Sequence, residues 1–105
     1  MIARVELFGR HPGEDRFPVI VEIGNPYCAT ENPSEWACPI SVTPFRTDLH
    51  DMHGSDSLQA LCLAIGLALK LLDGFRVDGG RLEFDDGEEF PLESYSFSFK
   101  ISAEQ

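Results

Sequence analysis

Apolar and polar positions alternate through the first half of the chain. Ala3, Val5 and Leu7 oppose Arg4, Glu6 and Phe8, and Val19, Val21 and Ile23 repeat the period-2 pattern after a turn rich in breakers, His11-Pro12-Gly13-Glu14-Asp15. Two such runs around one turn predict a β-hairpin. Asn25-Pro26 and Asn32-Pro33-Ser34 bracket a loop, and Trp36, Cys38, Ile40 and Val42 then resume the alternation. Pro39 interrupts this third strand and donates no ladder hydrogen bond, which predicts an edge position or a bulge there.

Pro44–Gly54 has no period, and a helix follows it. Asp56 with Gln59 three residues on resembles a capping box, with Ser55 or Ser57 as alternative caps, and Gly74 is the expected stop. At 100° per residue, Gln59, Gly66, Lys70 and Asp73 form one narrow polar stripe, and apolar residues cover the rest. A helix resting on one sheet shows a wider polar face, so burial on more than one side is expected. A curled sheet that wraps the helix is the preferred explanation. A homodimer through the apolar helix is the alternative, which leaves monomer or dimer open.

Turns at Asp78-Gly79-Gly80 and Asp85-Asp86-Gly87 divide the second half. A two-residue Asp-Gly loop would set Phe84 opposite Glu89. A three-residue loop with Gly87 left-handed pairs Leu82 with Phe90 and keeps one face apolar, and is preferred. Leu92 extends the returning strand, and Tyr95, Phe97, Phe99 and Ile101 alternate with serines and Lys100 as a last strand. The expected fold is α+β over residues 1–105 as a single domain: one helix packed on a curled, mostly antiparallel sheet, in the order βββ-α-βββ.

A length of 105 residues suits one core, and 43% apolar content argues against intrinsic disorder. The net charge of −10 and eight scattered basic residues exclude binding to nucleic acid or to an anionic membrane surface. A basic protein partner is what such a charge favours. Arg4 and Glu6 break any signal-peptide pattern, and the apolar run Leu58–Leu72 is shorter than the roughly 20 residues of a membrane span. Three cysteines, Cys28, Cys38 and Cys62, cannot all pair internally, so a reducing, cytoplasmic location is expected. Cys62 reads as inert core and Cys28 as an exposed thiol.

Two constellations could carry function. Asp48, His50, Asp51 and His53 precede the helix and supply nitrogen and oxygen donors of the kind zinc accepts, although the HExxH spacing is absent. Glu83, Asp85, Asp86, Glu88 and Glu89 crowd the second-half hairpin and offer an acidic docking surface. No phosphate-binding loop, dinucleotide fingerprint or nucleophile elbow occurs, so no cofactor is expected.

The stretches Glu35-Trp36-Ala37-Cys38-Pro39-Ile40-Ser41, His53-Gly54-Ser55-Asp56-Ser57-Leu58-Gln59-Ala60-Leu61 and Gly79-Gly80-Arg81-Leu82 resemble an uncharacterised family of small bacterial proteins. Strands around one Gln-Ala-Leu helix also resemble, more loosely, the small immunity proteins of bacterial toxin systems. The resemblance implies no catalytic residues. The leading expectation is a protein-binding, immunity-like or accessory module. A small metal-dependent enzyme using His50 and His53 is the alternative.

Overall fold

In the computed structural model, which describes residues 1–95, strands β1 (Ala3–Arg10) and β2 (Phe17–Ile23) form the expected antiparallel hairpin, with Val5 opposite Val21 and Leu7 opposite Val19. The reversal closes through a Glu14 N–H to His11 carbonyl hydrogen bond of 3.0 Å, with Gly13 at φ +76°. The bracketed loop is itself a hairpin, β3 (Tyr27–Glu31) with β4 (Ser34–Cys38). Every β3 residue is exposed on both faces, so no hydrophobic alternation marked it in the sequence.

The predicted third strand divides at Pro39. Before it, β4 is the middle strand of a three-stranded sheet, ordered β3-β4-β6, where β6 is Met52–Gly54. After it, β5 (Ile40–Thr43) is an edge strand of a four-stranded sheet, ordered β5-β2-β1-β7, where β7 is Arg81–Glu83. The Pro39 carbonyl accepts from the Gly24 N–H at 2.8 Å, which ties the crossing point to the end of β2. All strand pairings among the described residues are antiparallel, and strands precede and follow the single helix as expected. Six short strands precede it rather than three.

Helix α1 (Ser57–Val77) starts where the sequence places it. The Asp56 carboxylate accepts from the Gln59 N–H at 2.7 Å, and the Gln59 side chain returns to the Ser55 N–H at 2.6 Å. Gly74 does not stop it: Gly74 faces open space, and the chain stays helical until Phe75 has been buried. The stop is Gly79 at φ +99°, whose N–H bonds the Arg76 carbonyl while Gly80 N–H bonds that of Phe75, satisfying the orphan carbonyls of the last turn. At Gly80 a Cβ would come within 2.4 Å of the Phe75 ring, so that ring requires glycine there.

Burial of the helix differs from expectation. Its buried residues are Ala60, Ala64, Ala68, Leu72 and Phe75, one stripe facing the junction of the two sheets. Leu58 (68% exposed), Leu63 (42%) and Cys62 face solvent, so Cys62 is not core. The sheet is not closed, and among the described residues no strand wraps the outer flank. At 21 residues the helix is also, by length and composition, long and apolar enough to cross a membrane, beyond what the Leu58–Leu72 run implied. Core helices of soluble proteins pass that same test.

The second hairpin adopts the preferred three-residue loop. Phe90 N–H bonds the Leu82 carbonyl at 2.9 Å, Phe84 N–H bonds that of Glu88 at 2.8 Å, and Gly87 has φ +89°. The return strand is a single bridge, Glu83 to Glu89, and Leu92 opens a 3₁₀ turn (Leu92–Tyr95) instead of extending a strand. The expected alternation over Tyr95, Phe97, Phe99 and Ile101 lies, past Tyr95, outside the described residues.

Two substitutions test this seating of the helix. Ala64→Leu adds three carbons at a fully buried position and is expected to cost about 1–3 kcal/mol in denaturant unfolding. Asp56→Ala removes the cap and should cost about 1 kcal/mol.

Candidate functional site

The acidic hairpin and the histidine loop occupy different places. In the hairpin, Glu83 lies in β7 beside β1, and its side chain is 3% exposed. Its carboxylate takes Arg10 at 2.8 Å, Arg81 at 2.9 Å and Arg16 at 3.6 Å. Arg16 also stacks its guanidinium 4.0 Å from the Phe8 ring centroid. The Arg10 and Arg81 hydrogen bonds hold the Glu83 carboxyl below the ordinary glutamate range against the opposing effect of desolvation. Glu83 is therefore an internal anchor and is removed from the expected docking set, because its charge is spent on three arginines.

The other four acidic residues are exposed at the tip. Asp85 is bridged by Arg16 at 3.3 Å, and Glu89 stands 3.9 Å from Arg81. Asp86 accepts from the Glu88 N–H at 3.0 Å, fixing the turn. Among the described residues, no cation pairs with Asp86 or Glu88. A charged turn held by a buried ion cluster can present carboxylates without first paying to order them.

The histidine loop does not assemble. Asp48 pairs with Arg46 at 3.1 Å, which lowers its pKa. Asp51 accepts from the Tyr27 hydroxyl at 2.5 Å, and that hydrogen bond raises the tyrosine pKa. His53, on β6, meets Glu35 of β4 at 2.5 Å, while His50 is exposed. Among the described residues, no three His, Cys, Asp or Glu side chains are placed to hold one metal ion. Three of the four expected ligands thus join different partners, since β6 sends His53 toward β4 and the preceding loop sends Asp51 toward β3.

The family model described as a domain of unknown function, DUF6968, matches residues 6–93. The chain belongs to this family. Neither the curated proteins nor the solved structures compared with it give a match. Within this DUF6968 domain, the matched span takes in β1 from Glu6 onward, the whole helix and the acidic hairpin.

Sequence reasoning missed the arginines around Glu83. One signal was available: Arg81 and Glu83 are two apart on one strand and share a face. Arg10 and Arg16 flank the first turn, and only the β1–β7 pairing brings them in.

All three cysteines are free. Cys28 is exposed as expected, with its thiol against the Thr30 carbonyl at 3.1 Å. Cys38 is buried, which raises its pKa and keeps it a thiol.

Because the folded pKa of Glu83 is depressed, its stabilisation is present above the unfolded-state value and is lost as pH falls through the folded one. Glu83→Gln is expected to flatten the acid limb of the unfolding midpoint against pH. An unchanged acid limb would show that the cluster contributes nothing.

Proposed function

We propose that this protein is a protein-binding module, immunity-like or accessory in role, that works in a reducing cytoplasm and docks a basic partner on its acidic hairpin tip. The observation that carries the reading is that Asp86 and Glu88, on a turn anchored by buried Glu83, meet no cationic side chain among the described residues. The net charge of −10 adds long-range attraction for a basic protein, and three free thiols agree with a reducing compartment.

The test compares two double variants with the same change in net charge. Asp86→Lys with Glu88→Lys reverses the tip, while Glu14→Lys with Asp15→Lys reverses the first turn. Proteins captured at low salt from the native cell lysate are expected to be lost by the tip variant and kept by the control. Association with a captured protein should slow about ten-fold or more on tip reversal. Equal capture by both variants would discard the docking surface.

A further inference from the structure

No further inference is drawn: the strongest candidate, the apolar groove between the inner face of the β1–β2 hairpin and α1, is lined in part by Tyr95, where the described residues end, and nothing in the structure shows what covers it.

Discussion

Close approach of one helix to the seam between two small sheets is the contact on which the other packing depends. Ala60, Ala64 and Ala68 recur every four residues and are almost wholly buried. A methyl at each turn lets the helix backbone come down onto β4, β5 and β6, and at Gly54 even a Cβ would stand 2.7 Å from the Ala60 nitrogen. Larger residues take over where the seam widens, with Leu72 and then Phe75, whose ring meets Phe45 at 4.8 Å and Phe17 at 5.8 Å. The two sheets share this one helix as their common layer.

That geometry explains which parts of the fold were legible. The β1–β2 hairpin, the Asp56 start of the helix and the three-residue loop at Gly87 each depend on local chemistry: alternation, a capping carboxylate, a residue with positive φ. Local chemistry is written in neighbouring residues. The division of the third strand was only half legible, because Pro39 announces a break in the ladder but not that the two halves join different sheets. Strand β3 was illegible, since a strand exposed on both faces has no hydrophobic period to read. The helix end was misread for a related reason. Glycine at 74 is a permissible stop, but burying the Phe75 ring outweighs the roughly 1 kcal/mol cost of a glycine inside a helix.

The candidate sites divide along the same line. Proximity in sequence suggested that Asp48, His50, Asp51 and His53 act together and that Glu83 belongs with the hairpin tip. Strand pairing separates the first group and withdraws Glu83 from the second, because β7 against β1 brings Arg10 and Arg16 to a carboxylate many residues away. Burying Glu83 without them would leave a desolvated charge, which proteins tolerate only when it is paired. The arginines answer that need and tie the root of the hairpin to the first turn.

An acidic protein that commits three of its eight basic residues to one internal carboxylate leaves its remaining surface more negative than its composition alone implies. Among the described residues, the acidic charge with no arginine beside it collects at Asp86 and Glu88 on the tip, whereas Glu6 and Glu22 share Arg4. An apolar groove lies, among the described residues, beside the part of β1 that β7 does not pair, since β7 is only three residues long and stops at Phe8. One short strand therefore has two effects: it buries Glu83 among arginines, and its end at Phe8 leaves Ala3–Leu7, among the described residues, with β2 alone as a strand neighbour.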